Sequence, residues 1–517
     1  MGAAMHGVCE TCRKQVPASR VIRDGNVYIS KACPVCGTTE ALVSTDAATW
    51  QRKRELWRYD PDKARACTLN CRVCGHEHFP RMVFLDLTNR CNMNCPICIA
   101  NIPGMGFEFH PPLLYFERVL KGLGEMNPKP TVQLFGGEPT VRDDMFEIAE
   151  IARRYGLKVR VVTNGLQLPD EEYCKKLCDA KASALVGFDG RDPAIYARLR
   201  KSPGAYEKKL KAIENLKKYS KTKSTIMCCV ARHINDKHMR DLIDFCHENR
   251  DCIGHLHLIP LTETWEEGEF ETDVATTIED VERIIGEAFP GEKVEFLPAG
   301  LGHYLRAAAS FFGEFRLTFG GVHPNCESAT VLLSDGECYR PVGYFMKRPL
   351  TEFADEVVER AIGVNERLAR LDPARFLQRW RGRFIVMRTF VGPLYRTLDF
   401  TKILKGNRFL AALRILGGAL VGKGLKSQLR KHTNVAGSLG MIILPFEEYH
   451  SIDGHRLQNC AAGFAFEDPE TKEIMVVPVC GYSRCTDEVE RKIAQKYQSV
   501  PAVAAAVSAP ERPSRKR

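Results

Sequence analysis

The segment Cys91–Cys98 constrains this 517-residue chain more than any other feature of its sequence. It reads CNMNCPIC and follows directly on the apolar, strand-like run RMVFLDLT. The spacing of Cys91, Cys95 and Cys98 places three thiolates on one tight loop, where they can bind three irons of a 4Fe-4S cube and leave the fourth iron without a protein ligand. A zinc site is the alternative interpretation, and it would require a fourth ligand close by.

A second motif, LFGGEPT, ends another apolar run with Gly136, Gly137, Glu138 and Pro139. Together the two motifs resemble the radical S-adenosylmethionine (radical SAM) superfamily, whose cysteine signature carries a bulky residue, here Ile97, before the third cysteine. The resemblance implies that SAM chelates the open iron and that Ile97 packs on its adenine. It also implies that the glycine motif holds the methionine moiety, with Glu138 accepting hydrogen bonds from the ammonium group. One-electron cleavage of SAM would then give a 5′-deoxyadenosyl radical that abstracts hydrogen from an unactivated carbon.

Strand-like and helix-like segments alternate from about residue 81 to 290, which predicts an α/β fold with a parallel sheet. Six such units fit an open (β/α)₆ partial barrel like the superfamily core, with its chemistry at the carboxyl ends of the strands. Asn164, in the TNG that ends the third strand, and Asp189, after the fourth, are therefore candidate ribose or methionine contacts, with turn formation as the alternative. The strand candidates are RMVFLDLT, TVQLF, KVRVVT, ALVGFDG, STIMCCVA and GHLHLIPL.

The chain is too long for one ordinary core, so a main domain with appendages is predicted. The absence of an apolar run of ~18 residues and of a signal-like start predicts a cytoplasmic protein, either soluble or lying on a membrane surface. The predicted units are 1–50, a metal-binding knuckle; 51–80, a cysteine segment; 81–295, the radical SAM core; 296–350, a cluster-ligand segment; 351–435, a basic helical segment; 436–490, a small strand-rich unit with three cysteines; and 491–517, a disordered tail.

Two CxxC pairs near the N-terminus predict a four-thiolate metal site. Cys9 and Cys12 are separated by about twenty residues from Cys33 and Cys36, as in zinc ribbons and rubredoxins. Zinc and a single iron fit this set equally well. Its role is either functional or purely structural, since a segment this small often folds around a metal.

The chain contains 21 cysteines, which favours thiolate metal ligands in a reducing compartment over disulfides. Cys67, Cys71 and Cys74 repeat the three-and-two spacing just before the core. With five distal cysteines they make two sets of four, which predicts two auxiliary 4Fe-4S clusters, although the distribution of the distal ligands between them stays open. The distal cysteines are Cys326, Cys338, Cys460, Cys480 and Cys485.

This cysteine layout resembles the branch of the superfamily that includes tetraether lipid synthases and relatives named pterin methyltransferases. The resemblance covers roughly the N-terminal two thirds and recurs in the terminal cysteines. It implies that an auxiliary cluster holds a first alkyl radical until a second couples with it. The pre-core triplet departs from the pattern of the branch, since it reads CTLNCRVC in place of a proline-bearing Asp-Cys-Gly-Leu-Cys segment.

Residues 375–431 carry the basic charge of the chain. They contain fourteen Lys and Arg against one acid, Asp399, for +13, whereas the whole chain is +10. Large apolar residues are interleaved with these charges, a pattern that suits an amphipathic helix at an anionic lipid surface. The same pattern fits RNA binding or packing of the apolar face on the barrel mouth.

The sequence therefore predicts a peripheral-membrane radical SAM enzyme that abstracts hydrogen from an alkyl carbon, preferably in a lipid chain, and forms a carbon–carbon bond. It would take electrons from a reductant such as ferredoxin or flavodoxin, and nucleic acid is not expected as a partner. The first alternative is a radical methylase or carbon–carbon bond former acting on a pterin or another small heterocycle. The second is a non-catalytic, cluster-bearing protein for electron transfer or nucleic-acid binding.

Overall fold

The structure is a computed structural model that describes residues 5–60, 80–264, 269–312, 318–423, 425–448, 450–482 and 485–497. Within these ranges no helix is both long and apolar enough to cross a bilayer. The cysteine triplet at residues 67–74 and residues 498–517 of the predicted disordered tail lie outside them. Residues 491–497 of that tail are not disordered, because they belong to the helix Thr486–Tyr497, which buries Ile493 and Ala494.

A small antiparallel sheet opens the chain. Its four strands pair in sequence order, and a helix follows that is capped by the Asp46 side chain, which accepts from the Thr49 N–H. The elements are β1 (Met5–Val8), β2 (Gln15–Arg23), β3 (Asn26–Cys33), β4 (Gly37–Ser44) and α1 (Ala47–Glu55).

Six parallel strands form the core, and all six strands expected from the sequence are confirmed. Each pairs with the next along the chain, so the sheet is wound in one direction as in an open (β/α)₆ barrel. The runs are almost wholly apolar because both faces of the strands are covered. The strands are β5 (Met82–Asp86), β6 (Thr131–Phe135), β7 (Lys158–Thr163), β8 (Ser183–Gly187), β9 (Ser224–Val230) and β10 (Ile253–Pro260).

Helices between these strands bury their apolar faces on the sheet and make its largest hydrophobic core. Local signals fix where several of them begin: Asp170 and Asp192 accept hydrogen bonds at the starts of α4 and α5, and Thr277 and Asp280 form a reciprocal capping box at α8. The helices are α2 (Leu113–Glu125), α3 (Met145–Arg154), α4 (Glu171–Asp179), α5 (Pro193–Arg200), α6 (Ala205–Tyr219), α7 (Met239–Glu248) and α8 (Ile278–Glu287).

Strands from the C-terminal part extend both edges of the core sheet. β14 pairs parallel with β10, and β15 pairs parallel with β5, so residues 436–490 do not form the separate strand-rich unit expected from the sequence. The physical reason is that an open barrel leaves two edges of unpaired backbone groups that need partners. These strands are β11 (Leu297–Pro298), β12 (Ser328–Ser334), β13 (Tyr339–Pro341), β14 (Gly437–Ile443), β15 (Ala462–Glu467) and β16 (Ile474–Pro478).

The predicted basic segment is helical, as expected from its pattern. Within it, α11 packs on α10, α13 contacts α11, and α14 packs on α13, while α10 also contacts the turn that follows β11. The remaining helices of the described ranges are α9 (Arg306–Ala309), α10 (Leu350–Ala369), α11 (Phe376–Thr397), α12 (Phe400–Ile403), α13 (Arg408–Leu420), α14 (Leu425–His432), α15 (Gly454–Gln458), α16 (Val479–Tyr482) and α17 (Thr486–Tyr497).

Candidate active site

The glycine motif after β6 lies against the segment that leads into the cysteine loop. The Gly137 N–H donates to the Thr88 carbonyl at 2.6 Å, and the Glu138 N–H donates to the Arg90 carbonyl at 2.9 Å. Gly136 has φ +121°, and a Cβ there would lie 2.4 Å from the Thr88 oxygen. Only glycine fits this approach of two backbones, so the motif fixes the cysteine loop over the end of the neighbouring strand.

Glu138 joins the ends of β6 and β7. Its side chain is buried, and one oxygen, Oε1, accepts from the Thr140 N–H at 3.1 Å and from the Thr163 hydroxyl at 2.7 Å. The other oxygen, Oε2, accepts from the Asn164 N–H at 2.7 Å. Burial raises the pKa of the Glu138 carboxyl, although these donors oppose the shift. Since an ionised carboxylate oxygen accepts more than one hydrogen bond, Oε2 retains capacity for an ammonium donor; the contact itself stays a prediction.

The cysteine loop borders a cavity of about 440 Å³. Cys91 is exposed and Cys95 and Cys98 are half-buried, and Cys91 interacts electrostatically with both other thiols and with Glu138. The two predicted motifs therefore meet in space. The cavity is lined by Asn89, Cys91, Asn92, Met93, Asn94, Ile102 and Pro103.

Asn164 ties the cysteine loop to β7. Its side-chain amide donates to the Asn92 Oδ1 at 2.6 Å, and its own Oδ1 accepts from the Leu166 N–H at 2.9 Å. Asn164 is thus a turn former, one of its two predicted roles, and it also holds the loop. A direct contact to the cofactor stays a prediction.

Ile97 and Pro139 have well-defined structural roles. Ile97 is 6% exposed and packs in an apolar cluster with Ile195, Tyr196 and Leu199 of α5. Its expected contact with adenine stays a prediction. Pro139 begins the short turn that Glu138 caps, where its missing N–H costs nothing.

Asp189 holds Arg200, a residue that the sequence reasoning missed. The guanidinium donates to both carboxylate oxygens at 2.8 and 2.9 Å, and the Cys229 N–H donates to the same carboxylate at 3.0 Å. Burial alone would raise the pKa of Asp189, but Arg200 holds it below its usual value. Arg200 in turn interacts electrostatically with Cys95, which brings a fixed positive charge to the cysteine loop. The available signal was an arginine at the end of the helix that follows an Asp-bearing strand end.

Buried Lys209 of α6 completes the charged group. Its ammonium donates to the Gly187 carbonyl at 2.5 Å, and it interacts electrostatically with Asp189, Cys95 and Glu138. Burial lowers the pKa of Lys209 to about 8. Three ionisable side chains thus interact with the cysteine loop: Glu138 with Cys91, and Arg200 and Lys209 with Cys95.

The predicted N-terminal knuckle is formed. The Sγ atoms of its four cysteines all lie within 4.8 Å of one another, and those of Cys12 and Cys33 are 3.7 Å apart. Tetrahedral zinc with Zn–S bonds of ~2.3 Å separates its sulfur ligands by about 3.8 Å, so the set fits a single metal ion. The backbone N–H groups of Cys36 and Val35 lower the pKa of Cys33 to about 6, which favours the thiolate.

Three of the five distal cysteines converge. Cys326, Cys460 and Cys480 are linked by mutual electrostatic interactions, and burial raises the pKa of each thiol. The Arg456 guanidinium lies 3.7 Å from the Cys326 sulfur and pairs with Glu447 at 3.2 Å. Among the described residues, only the knuckle cysteines form a group whose ligand atoms all lie within 4.8 Å of one another, so the sulfurs of this group and of the Cys91 loop are spaced more widely than one zinc ion requires.

The other predicted distal ligands lie elsewhere. Cys338 is in the turn between β12 and β13, whereas Cys326 precedes β12, a strand of seven residues that spans about 20 Å. Cys485 follows α16 and packs against the main core. The Cys67, Cys71 and Cys74 triplet is outside the described residues, so the count of two auxiliary clusters stays a prediction.

Comparison with known proteins agrees with this geometry. Residues 85–246 match the Radical SAM superfamily, and residues 3–45 match the HMPTM N-terminal zinc ribbon domain. The chain is 31% identical over 300 residues to 7,8-dihydro-6-hydroxymethylpterin dimethyltransferase of Methanocaldococcus jannaschii, covering 56% of this chain and 59% of that protein. It is 35% identical over 144 residues to AdoMet-dependent heme synthase of Methanosarcina barkeri, covering 27% of this chain and 40% of that one.

Among solved structures, Streptococcus suis SuiB is similar at 19% identity and a TM-score of 0.33, with 40% of this chain and 46% of that chain covered. The chain spans 59% of the length of the pterin dimethyltransferase and 40% of the length of the heme synthase. The cysteine loop and the glycine motif beside it both lie within residues 85–246. The part of this chain that matches the Radical SAM superfamily is residues 85–246.

Proposed function

We propose that this protein is a radical SAM enzyme that abstracts hydrogen from an unactivated alkyl carbon of a lipid chain and joins two such carbons. The observation that carries the proposal is that Cys91, which lines the cavity, interacts electrostatically with Cys95, Cys98 and Glu138. These residues would hold a 4Fe-4S cluster and SAM, which together supply a 5′-deoxyadenosyl radical after one-electron reduction. The electron would come from a reductant such as ferredoxin or flavodoxin.

The chain's own residues would position these groups. The hydrogen bond between Asn164 and Asn92 would hold the thiol loop against the end of β7. The second oxygen of Glu138, which accepts from the Asn164 N–H, would also accept a charge-assisted hydrogen bond from the ammonium group of SAM. Arg200, fixed by Asp189, places positive charge beside Cys95 and so offsets the negative charge of three thiolates.

The group of Cys326, Cys460 and Cys480 would bind an auxiliary 4Fe-4S cluster. Cys326 is buried and Cys460 and Cys480 are half-buried, and the Arg456 guanidinium lies 3.7 Å from the Cys326 sulfur. The fourth ligand would come from the triplet at residues 67–74. Where the described chain resumes, the Arg81 N–H donates to the carbonyl of Ala461, which is next to Cys460.

Joining two alkyl carbons fixes a stoichiometry. Each carbon loses one hydrogen atom to one 5′-deoxyadenosyl radical, so each new bond consumes two SAM and two electrons and yields two 5′-deoxyadenosine and two methionine. A methylation of a ring carbon would instead give a product that carries a methyl group from SAM. Product counting therefore separates the two chemistries.

A pterin or similar heterocycle is the second candidate substrate, because the relative from Methanocaldococcus jannaschii is named for a hydroxymethylpterin. The lipid candidate is supported by the basic, apolar segment at residues 375–431, which a small soluble substrate would not require.

The test is anaerobic incubation of reconstituted protein with dithionite and SAM, followed by measurement of 5′-deoxyadenosine. Substrates are compared in parallel: vesicles with perdeuterated acyl or isoprenoid chains, and a deuterated hydroxymethylpterin. The lipid proposal expects deuterium in 5′-deoxyadenosine from the labelled chains. If deuterium reaches 5′-deoxyadenosine only from the labelled pterin, the substrate is a pterin and not a lipid. If no 5′-deoxyadenosine forms with any substrate, the result supports a non-catalytic protein. Cys95→Ala should abolish formation of 5′-deoxyadenosine, whereas the control Cys178→Ala, at a cysteine of α4 outside the cysteine loop, should not.

A further inference from the structure

Helix α11 has its expected buried face. Gly382 lies against the Phe311 ring so closely that a Cβ would come within 2.2 Å of it, and Val386 and Phe390 pack on the cluster around Leu368. Pro393 and Thr397 are buried farther along the same side. These positions recur every three or four residues, as expected for one face of a helix.

The opposite face of α11 is exposed and also carries apolar residues. Leu377, Phe384 and Tyr395 are 79%, 59% and 68% exposed, and they lie seven and eleven residues apart, which returns to the same side of a helix. Arg381 and Arg388 occupy the exposed positions between them. A soluble helix normally covers this side with polar groups, so a second face built from large apolar side chains and arginines points to a contact.

Helix α13 adds to this surface. Phe409, Leu410 and Leu413 are 72%, 47% and 50% exposed, and Arg408 and Arg414 flank them. The end of α13 is tied to the middle of α11, because the Arg383 guanidinium donates to the Leu420 carbonyl at 3.1 Å. We call these exposed residues of α11 and α13 the arginine-apolar surface.

The charge of this surface is unneutralised. Residues 375–431 are +13, whereas the rest of the chain sums to −3. Within the described part of the chain, Arg381, Arg388 and Arg414 form no ion pair, in contrast to Arg396, which pairs with Glu356. Free guanidinium groups between large apolar side chains are complementary to a layer that is anionic outside and apolar beneath.

We propose that the arginine-apolar surface docks on an anionic lipid bilayer. Its aromatic and leucine side chains would enter the boundary between headgroups and acyl chains, while the arginines bind lipid phosphates. Leucine side chains offer no flat face for base stacking, which disfavours RNA. A second copy is disfavoured because two such surfaces would bring like charges together. The inference deepens the lipid part of the proposed function, and it concerns binding alone.

The test is flotation of the purified full-length protein with vesicles of phosphatidylcholine, with or without 30% phosphatidylglycerol, so that turnover is not needed. We expect binding to the anionic vesicles that weakens as salt rises. Arg381→Gln with Arg388→Gln should lower the partition coefficient about 30-fold, from ~1 kcal/mol per basic residue. Phe384→Ser should lower it about tenfold, since a buried aromatic side chain is worth at least ~1.5 kcal/mol.

Matched controls remove the same charge or apolar group elsewhere. Lys208→Gln with Lys217→Gln changes two exposed cations of α6, and Leu114→Ser changes an exposed apolar residue of α2. Equal loss in these variants, or no flotation of the wild type, overturns the docking surface. Dimerisation that Phe384→Ser abolishes, without flotation, would assign the surface to a second copy, and salt-sensitive RNA binding without flotation would assign it to RNA. If the protein does not float with vesicles but converts a dispersed lipid substrate, the docking surface is overturned and the proposed function stands.

Discussion

The buried pair of Asp189 and Arg200 is the contact whose removal we expect to be most costly near the site. Arg200→Met keeps the side-chain volume but removes both hydrogen bonds, at 2.8 and 2.9 Å, to a carboxylate that is fully buried. Asp189 would retain the 3.0 Å bond from the Cys229 N–H. Leaving one partner of a buried pair uncompensated costs about 3–5 kcal/mol. Lys209 also attracts the Asp189 carboxylate, so we expect the lower end, about 3 kcal/mol.

The assay is urea-induced unfolding of the anaerobic, reduced protein, followed by far-UV circular dichroism. Combining Arg200→Met with Asp189→Asn removes the uncompensated charge, so the double variant should be more stable than Arg200→Met alone. The control is Lys211→Met, which breaks an exposed pair with Glu214 and should cost less than about 1 kcal/mol.

Two results would refute this reasoning. One is an Arg200→Met variant that unfolds at the same urea concentration as Lys211→Met. The other is a double variant that is less stable than Arg200→Met, because Asp189 would then stabilise the fold without its partner.

Three further perturbations test other parts of the structure. Burial raises the pKa of Asp86, which lies beside Glu490, from 3.8 to about 7. This carboxyl pair therefore favours folding at acid pH and loses that contribution as the pH rises through about 7. Glu490→Gln should raise the melting temperature at pH 8 and make the melting temperature fall less between pH 4 and pH 7. Cys326→Ala should lower the iron and sulfide content measured after reconstitution by about one cluster, whereas Cys338→Ala should not. Gly136→Ala should destabilise the protein by about 1–3 kcal/mol or more in urea unfolding, since its φ is +121°.

Each of these outcomes has a clear contradiction. If Glu490→Gln leaves the pH dependence of the melting temperature unchanged, the carboxyl pair does not destabilise the fold at high pH. Equal iron loss in Cys326→Ala and Cys338→Ala would place both in clusters. Gly286→Ala, at a helical position where a Cβ meets nothing within 4 Å, is the control for Gly136→Ala and should be neutral or stabilising; similar stability of both variants would remove the close approach as an explanation.

Much of the core could be predicted because parallel strands buried on both faces leave continuous apolar runs in the sequence. The carboxyl ends of such strands meet at one edge, which is why Cys91 and Glu138, 47 positions apart, could be expected in one site. Periodicity does not specify which strand pairs with a barrel edge. The pairing of β14 with β10 and of β15 with β5 could therefore not be predicted from periodicity.

The parts of the site that escaped prediction depend on tertiary contacts. Arg200 reaches Asp189 only because α5 folds back over the strand end, and nothing in the local sequence separates it from a surface arginine at a helix C-terminus. Likewise, cysteine counting could propose eight auxiliary ligands, but the grouping of Cys326 with Cys460 and Cys480 needs contacts across more than 130 residues.

The central claim is that Cys91, Cys95 and Cys98 leave one metal position open to SAM. The direct measurement is electron–nuclear double resonance of the anaerobically reduced protein with SAM labelled with ¹⁵N at the amino group and ¹⁷O at the carboxylate. We predict hyperfine coupling to both labels, and its loss when all three cysteines are replaced by alanine. A reduced cluster on these cysteines that shows no coupling to either label would contradict the account.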